Sequence, residues 1–226
     1  MKEVIYRIEN ICKSYRLNKV IVEALRDINL TLYKNESCAF IGPSGSGKST
    51  LLHILGSVDI PDSGTVFFNN ENIASMSDKE QSKIRAEKIG FIFQNFNLIP
   101  VLNVFENIEY PLRMSKGNRS NEERDKIMAI IEEVGLQDHI KHKPGELSGG
   151  QRQRVAVARA LVIEPEVILA DEPTANLDSK TGYKILELIK KLSVKHKTTP
   201  IFSTHDAKVI EFVERKITLS DGQIIV

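Results

Sequence analysis

The sequence lacks a long hydrophobic run. Its longest apolar stretch, VAVARALVI, is interrupted by Arg159 and is far shorter than the roughly 20 residues that a helix needs to cross a bilayer. The opening residues, MKEVIYRIEN, carry several charges and contain no apolar stretch of signal-peptide length. We therefore expect a soluble protein that is not exported and that reaches a membrane only through a partner.

A net charge of either sign is missing as well. The 31 lysines and arginines nearly balance the 30 aspartates and glutamates, which leaves a formal net charge of +1. A protein that binds duplexes usually carries a basic field, and this composition does not supply one. We therefore expect no nucleic-acid partner.

Cysteine is scarce, since the chain has only Cys12 and Cys38. Both lie in apolar contexts without CxxC spacing, which favours small core side chains in a reducing compartment over a disulfide or a metal site. The 226 residues suffice for one α/β domain, with or without a smaller subdomain. No internal repeat and no linker rich in proline or glycine divides the sequence.

Periodicity predicts strands in the first third of the chain and helices in the middle. The strand-like segments are VIYRIEN, ALRDINLTLY, SCAFI, GTVFFNNENI and GFIFQ, the last of which is predicted to end at Gln94. Ser77 and Ser120 each stand three residues before a glutamate, which is the spacing of a capping box at a helix start. Helical patterns follow Ser120 and Ser148, so residues 95–163 are predicted to form a helical insertion.

After this region the order returns to strands and helices. EVILADE and PIFSTHD resemble buried strands, and KILELIKKL between them places its apolar residues on one helical face. Such alternation predicts a parallel sheet covered by helices. The last residues, ITLSDGQIIV, predict a hairpin around Asp221 and Gly222.

The stretch GPSGSGKST satisfies the phosphate-binding pattern GxxxxGK[ST]. It comprises Gly42, Pro43, Ser44, Gly45, Ser46, Gly47, Lys48, Ser49 and Thr50. It follows the strand SCAFI and opens the helical pattern LLHILGS, which is the context that this chemistry requires. Backbone N–H groups and the helix dipole attract phosphates, Lys48 supplies a charge for the β- and γ-phosphates, and the Ser49 hydroxyl can bind Mg²⁺. A glycine-rich turn without function explains none of these features together.

Four polar side chains stand at predicted strand ends, where α/β sheets place ligands. Asp171 and Glu172 are neighbours on EVILADE and should point to opposite sides of the strand. Asp171 is interpreted as holding Mg²⁺ through water and Glu172 as polarising the attacking water; the alternative is two acids that only cap a strand. Gln94 can reach Mg²⁺ or the water, and a neutral His205 can bond the γ-phosphate or the water. An ordinary structural role is the alternative for both.

The motifs, taken together and in order, resemble the nucleotide-binding subunit of ABC transporters. They are GPSGSGKST, Gln94, LSGGQ, VILADE, ANLD and His205. The resemblance covers nearly the whole chain and implies an α/β P-loop NTPase fold: a RecA-like parallel-sheet core with an antiparallel β subdomain and an inserted helical subdomain. It divides the single domain 1–226 into 1–94 with 164–226, the β-rich rim and core, and 95–163, the helical signature subdomain.

The resemblance also assigns roles to individual residues. Tyr15 looks like the aromatic residue that stacks on adenine, Glu172 like the general base and His205 like the switch histidine, although a tyrosine near a strand end can also simply pack. The implied cofactors are ATP and Mg²⁺, and the implied metal ligands are Ser49, Gln94 and Asp171. ANLD, residues 175–178, departs from the commoner SALD in its first two positions, which affects only the detail of contacts across subunits.

A narrower resemblance is to the small ATPases that are paired with macrolide-export, lipoprotein-release or antimicrobial-peptide-resistance membrane subunits. It is carried by LHILGSVDIPDSG, IRAEKIGFIFQNFNLIPVLNVFENIEYPL and HKPGELSGGQRQRVAVARAL. It implies an integral membrane permease as partner and a cytoplasmic location, peripheral on the inner face of the cell membrane. The apolar loop FNLIPVLNVFENI after Gln94 belongs either to the core or to a socket for a cytoplasmic helix of that partner.

The stretch LSGGQ offers a second phosphate-type helix start, formed by Ser148, Gly149, Gly150 and Gln151, but it has no lysine. Ser148 can cap the helix, and a plain capped helix does not explain two successive glycines. In the resembling family this helix lies too far from the phosphate loop of its own chain. The resemblance therefore implies an isologous head-to-tail dimer of two copies with ATP between them.

Two functions remain open on these residues. The first is an ATPase that drives a membrane subunit exporting or extracting an amphiphilic cargo, such as a peptide, a drug or a lipoprotein. The second is an ATP-driven regulatory switch that signals through a membrane protein without moving a substrate. A DNA-repair or translation ATPase is disfavoured because coiled-coil insertions, zinc cysteines and tandem ATPase halves are missing.

Overall fold

A computed structural model describes residues 2–18, 20–116 and 121–225 of the chain. Within these ranges no helix is both long and apolar enough to cross a membrane. The chain divides into two compact units, one formed by Met1–Ser82 with Ile201–Val226 and the other by Lys83–Pro200.

The elements follow one another in alternating order. They are β1 (Val4–Leu17), β2 (Val20–Tyr33), β3 (Cys38–Ile41), α1 (Lys48–Leu55), β4 (Ser63–Phe68), β5 (Glu71–Asn72), α2 (Asp78–Lys88), β6 (Ile89–Ile92), α3 (Val104–Lys116) and α4 (Asn121–Glu133). They continue with α5 (Gly149–Leu161), β7 (Val167–Asp171), α6 (Ser179–His196), β8 (Thr199–Thr204), α7 (Ala207–Phe212), β9 (Arg215–Ser220) and β10 (Gln223–Ile225). Short 3₁₀ helices lie at Ile73–Ser75, Gln137–His139 and Pro144–Glu146.

The first unit contains an antiparallel sheet in the order β2-β1-β4-β5. Its core includes Ile5, Ile8, Ile11, Leu25 and Ile28, all almost fully buried. A second set of strands has the order β10-β9-β3-β8, in which β3 pairs in parallel with both β8 and β9. The apolar strand that the sequence predicts before the phosphate loop is therefore central in this set.

The predicted hairpin at the end of the chain is confirmed. β9 and β10 pair antiparallel across a turn in which Asp221 has φ 48° and Gly222 has φ 77°. Two positive φ angles are what a type I′ hairpin turn requires. The Gly222 N–H donates to the Ser46 carbonyl at 3.2 Å, and the Gly222 carbonyl accepts from the Arg26 N–H at 2.8 Å. The hairpin turn thus holds the backbone of the phosphate loop and of β2.

The second unit pairs β6 and β7 in parallel, with Ile89 opposite Val167. The predicted apolar stripe of α4 is buried at Ile127, Ile130, Ile131 and Val134. The helix is described from Asn121 onward, so the capping role of Ser120 lies outside the described residues. The other capping box is confirmed, because the Ser77 N–H donates to Glu80 Oε2 at 2.9 Å and the Glu80 N–H donates to Ser77 Oγ.

Helices α3, α4 and α5 all lie within residues 95–163. The compact unit that contains them also includes β6, β7 and α6, so a signature subdomain bounded at 95 and 163 stays a prediction. One strand boundary was wrong. β6 ends at Ile92 rather than at Gln94, because the next residues form a turn with left-handed φ angles at Phe96 and Asn97.

Candidate functional site

The phosphate loop joins β3 to α1 in the first unit. The residue before the helix, Gly47, has φ 100°, and no side chain caps the helix start. A Cβ at Gly47 would lie 2.4 Å from the Ala24 carbonyl oxygen, so both the dihedral angle and the close approach require glycine. The first N–H groups of α1 are therefore presented by backbone geometry alone, which is the arrangement that binds phosphate oxygens.

Lys48 extends back over this loop and is only 6% exposed. Its ammonium donates to the Gly42 carbonyl at 2.9 Å and to the Pro43 carbonyl at 2.8 Å. These carbonyls hold the charge inside the loop. Pro43, Ser44 and Gly45 form the exposed side of the loop, and a Cβ at Gly45 would meet no atom within 4 Å. The loop therefore combines a fixed positive charge with an open entrance.

His205 and the phosphate loop leave adjacent parallel strands at the same edge. Ile41 of β3 pairs with Thr204 of β8, so Gly42 and His205 are the next residues of the two strands. His205 is exposed. The backbone after it is fixed because the Asp206 N–H donates to Thr204 Oγ1 at 2.9 Å. The predicted position of His205 at a strand end is confirmed.

Tyr15, near the end of β1, is half-buried in the same unit. Its hydroxyl donates to Asp59 Oδ2 at 2.5 Å, and the Lys13 ammonium lies over its ring at 5.3 Å from the centroid. Sequence reasoning missed Asp59 because it lies in a loop without periodicity, 44 residues further along the chain.

Gln94 and Asp171 share an edge in the second unit. Ile92 of β6 pairs with Ala170 of β7, Asp171 is the last residue of β7, and Gln94 lies two residues beyond the end of β6. Carbonyl, carboxylate and amide oxygens suit Mg²⁺. The register therefore places two of the three predicted metal ligands at one sheet edge.

Glu172 corrects one expectation. It does not continue the strand beside Asp171 but lies past its end with φ 44°, a left-handed angle that is uncommon for a residue other than glycine. The turn is held from two sides. The Glu172 carbonyl accepts from the Ala175 N–H at 3.2 Å, and the next carbonyl, that of Pro173, accepts from Gln153 Nε2 at 2.8 Å. The different tasks of the two acids follow from this turn and not from strand alternation.

Two polar residues that sequence reasoning missed support these groups. Gln153, on α5, is fully buried; its position among apolar neighbours of the helix was a signal of an internal partner. Asn176, in ANLD, donates to the Gln94 carbonyl at 2.8 Å and to Asn95 Oδ1 at 3.1 Å. The departure from SALD at this position therefore has a contact within the chain.

The stretch LSGGQ forms the start of α5 as predicted. Ser148 Oγ accepts from the Gln151 N–H at 3.3 Å, and Gln151 Oε1 accepts from the Ser148 N–H at 2.8 Å. The glycines have a packing role that the sequence argument did not consider. A Cβ at Gly150 would lie 2.6 Å from Thr181 Cγ2, and one at Gly149 would lie 3.3 Å from Leu177 Cδ2. A capped helix packed closely on its neighbours thus accounts for both glycines.

The family model for the ABC transporter matches residues 25–175, a range that contains the phosphate loop, LSGGQ and both acids. The chain belongs to the ABC transporter family. An uncharacterized ABC transporter ATP-binding protein of Methanocaldococcus jannaschii, MJ0796, is 47% identical over 96% of this chain and 94% of its own. The lipoprotein-releasing system ATP-binding protein LolD of Legionella pneumophila is 40% identical over 99% and 98%.

Other ABC transporter relatives are longer proteins or solved structures. The macrolide export ATP-binding/permease protein MacB of Bdellovibrio bacteriovorus is 43% identical over 96% of this chain but only 33% of its own length. A dimeric structure of MJ0796 in a post-hydrolysis state, bound to ADP and Pi, has a TM-score of 0.90 at 45% identity and covers 98% of this chain and 97% of that one. The predicted P-loop NTPase fold is thereby confirmed, and the chain is an ATP-binding, ATP-hydrolysing subunit of this family.

Proposed function

We propose that two copies of this ABC transporter ATPase close around two ATP molecules and thereby drive a separate integral membrane subunit that exports or extracts an amphiphilic cargo. The observation that carries the proposal is a pair of phosphate-type helix starts, of which α1 carries Lys48 and α5 carries no lysine. The dimeric structures of the relative MJ0796 support it.

In the proposed dimer, Ser148 to Gly150 of one copy close on the γ-phosphate held by Gly42 to Thr50 of the other. Each ATP then contacts both copies, and the interface is two-fold and isologous. Hydrolysis removes the phosphate that both copies share, so the closed state loses its bridging contacts and opens. The opening is passed to the membrane subunit as a shift between two populations.

The proposed roles within one site follow from the side chains. Glu172 accepts a proton from the attacking water, and His205 donates a hydrogen bond to the γ-phosphate. Tyr15 stacks on the adenine. Ser49, Gln94 and Asp171 would hold Mg²⁺, which their hydroxyl, amide and carboxylate oxygens suit, and the bound ion neutralises charge on the phosphates.

The cargo class comes from the names of the relatives. LolD is named for lipoprotein release and MacB for macrolide export, and both cargoes are amphiphilic. The loop after Gln94 presents five apolar side chains that are neither buried nor fully exposed. They are Phe96, Leu98, Ile99, Leu102 and Phe105. Half-exposed apolar side chains suit the proposed docking of a membrane subunit, which would hold the ATPase on the inner face of the cell membrane.

The dimer is tested with Glu172→Gln, which keeps the shape of the side chain but removes the proton acceptor. With ATP and Mg²⁺ this variant should elute from size-exclusion chromatography as a dimer, and with ADP as a monomer. Adding Lys48→Ala to the same variant should abolish the dimer, because the phosphate loop then loses its charge. Elution of Glu172→Gln only as a monomer with ATP would show the sandwich to be wrong.

Cargo transport is tested separately, in vesicles that contain the ATPase with the membrane protein encoded beside it. We expect ATP-dependent movement or extraction of an amphiphilic probe, which Glu172→Gln abolishes. ATP hydrolysis that is stimulated by the membrane protein without any movement of cargo would favour the regulatory switch instead.

A further inference from the structure

The hydroxyl of Tyr15 is held by a carboxylate rather than by water. Tyr15 lies on β1, and Asp59 lies in the loop between α1 and β4, so the two residues come from distant parts of the first unit. The hydroxyl donates to Asp59 Oδ2 at 2.5 Å. A hydrogen bond from a phenol to an ionised acceptor is among the stronger and shorter ones in proteins. The bond therefore fixes where the edge of the ring lies.

Asp59 is itself fixed by three other contacts. Its second oxygen, Oδ1, accepts from Lys13 Nζ at 2.8 Å and from the Ile60 N–H at 2.7 Å. Lys13 Nζ also donates to the Ile60 carbonyl at 2.7 Å. Because both oxygens are bound, the carboxylate cannot turn without breaking several hydrogen bonds at once. The acceptor that holds Tyr15 is thus rigid.

The ionisation states suit this arrangement. Burial raises the pKa of Asp59, but hydrogen bonds from Lys13 and Tyr15 outweigh it and hold the pKa below its usual range. Burial and the neighbouring Asp59 raise the pKa of Tyr15 above its usual value. At neutral pH the carboxylate is therefore the acceptor and the phenol the donor.

The ring is also tied to the phosphate loop and covered on one side. A hydrogen bond joins the side chains of Tyr15 and Thr50, the last residue of GPSGSGKST. The Lys13 ammonium lies over the ring at 5.3 Å from its centroid. A cation over one face leaves the opposite face for a flat ligand. The ring thus has a set distance from the phosphate loop and a preferred face.

We propose that Asp59 is a positioning residue for nucleotide binding, which holds the Tyr15 phenol so that the free face of the ring meets the base of an ATP bound at the phosphate loop. Asp59 acts through Tyr15 and does not touch the nucleotide. The inference rests on the proposed stacking role of Tyr15. It extends the site by a residue that lies outside its sequence motifs.

The first measurement is nucleotide affinity in Asp59→Ala. Loss of the acceptor frees the ring while the phosphates remain held, so KM for ATP and Kd for ADP should rise by about three- to tenfold and kcat should stay within about twofold. Asp59→Asn keeps an acceptor oxygen and should recover most of the affinity. A fall in kcat with KM unchanged in both variants would overturn the proposal.

Asp62→Ala is the matched control. It removes a carboxylate from the same loop, 3.7 Å from Lys13 Nζ, which accepts from the Ser14 N–H at 2.7 Å. Its Kd for ADP should stay within about twofold of the parent, since the acceptor of the phenol is kept. An equal loss in Asp62→Ala and Asp59→Ala would mean that loop charge, and not ring position, sets the affinity.

A double-mutant cycle with Tyr15→Phe decides whether Asp59 acts through the phenol. Tyr15→Phe keeps the ring and removes the donor, so the double variant should bind ADP no more weakly than the weaker single variant. Losses that multiply would overturn the proposal. Tyr15→Ala separates it from the proposed function: if this change leaves affinity intact, the stacking role itself is wrong, whereas a large loss here with none in Asp59→Ala refutes only the positioning role.

The chain offers a direct optical readout, because it has five tyrosines and no tryptophan. Quenching of tyrosine emission by ADP should contain a component that is missing in Tyr15→Phe. In Asp59→Ala this component should remain at saturation but require more ADP. Loss of the component in Asp59→Ala at saturating ADP would show that the base no longer meets Tyr15 at all and would also contradict a role limited to positioning.

Discussion

The helix starts of α1 and α5 use the same small residues in opposite ways. At α1, glycine supplies a left-handed backbone at Gly47 and no side chain caps the helix. At α5, Ser148 and Gln151 cap each other, and the glycines allow close packing on Thr181 and Leu177. A phosphate at α1 therefore meets a helix end that is left open for it, whereas a phosphate at α5 must join a cap that already exists.

The largest effect that would test this comparison comes from Lys48→Ala. The ammonium is the charge that distinguishes the α1 site from the α5 site, so ATP hydrolysis should fall at least about a hundredfold. Phosphate release at saturating ATP measures it. Exposed Lys184 on α6 provides the control, since Lys184→Ala should leave the rate unchanged. If Lys48→Ala keeps a third of the activity, the open helix end alone holds the phosphates.

The next effect separates the two kinds of glycine. Gly150→Ala should destabilise the protein by about 1–3 kcal/mol through overpacking against Thr181 Cγ2. Thr181→Ser removes that methyl group and should restore most of the loss. Gly47→Ala should cost about 2 kcal/mol or more, because it combines a left-handed φ with a clash against the Ala24 carbonyl.

Thermal unfolding without nucleotide measures all these variants. Thr181→Ser should rescue Gly150→Ala and leave Gly47→Ala unrescued, since the clash of Gly47 is with backbone. Rescue of neither variant would mean that Gly150 is required for its backbone freedom, as Gly47 is, and the contrast between the two helix starts would disappear.

A smaller effect is expected from the cap itself. Ser148→Ala removes the acceptor of the Gln151 N–H and should cost about 1 kcal/mol, which is roughly 2–4 °C in Tm for a chain of this size. Ser148→Asn keeps a capping acceptor and should lose less. If Ser148→Ala has an unchanged Tm without nucleotide, the serine contributes nothing to the helix and α5 is as open as α1.

The smallest effect concerns a third helix start. Asp178 caps α6 by accepting from the Thr181 and Lys180 N–H groups, and the hydrogen bonds from Thr181 hold the pKa of Asp178 below its usual range. Stability from a carboxylate with a lowered folded-state pKa is fully present above its unfolded pKa of ~3.9 and is lost as the pH falls through the folded pKa.

The cap formed by Ser148 does not titrate, so the two caps should differ in pH dependence. The loss of Tm on acidification from pH 5 to about 3 should be smaller in Asp178→Ser than in the parent, and unchanged in Ser148→Ala. Equal slopes in the parent and in Asp178→Ser would show that the Asp178 cap contributes no pH-dependent stability.

Local patterns made much of the fold predictable. The capping box at Ser77, the strand and helix around GPSGSGKST and the turn at Gly222 each depend on residues that are close in sequence, and each is confirmed. The left-handed angle of Glu172 had no such signal, because glutamate rarely adopts it and the turn is held by partners elsewhere.

Contacts between distant residues were out of reach for the same reason. Gln153 reaches the Pro173 carbonyl, Asn176 reaches the Gln94 carbonyl, and Asp59 reaches Tyr15. Sequence spacing indicates which chemistry a chain can perform, but the groups that hold those side chains in place are chosen by tertiary packing. The functional roles of the site residues accordingly stay predictions to be tested.

The hairpin turn at Gly222 bears on how the protein is made. The turn holds Ser46 in the middle of the phosphate loop, and a Cβ at Gly42 would lie 2.1 Å from the carbonyl of Leu219 on β9. A ribosome produces the phosphate loop early and its support almost last, so the loop reaches its final shape only when the chain is nearly complete. A nascent chain therefore carries the sequence of a nucleotide site long before it can hold a nucleotide.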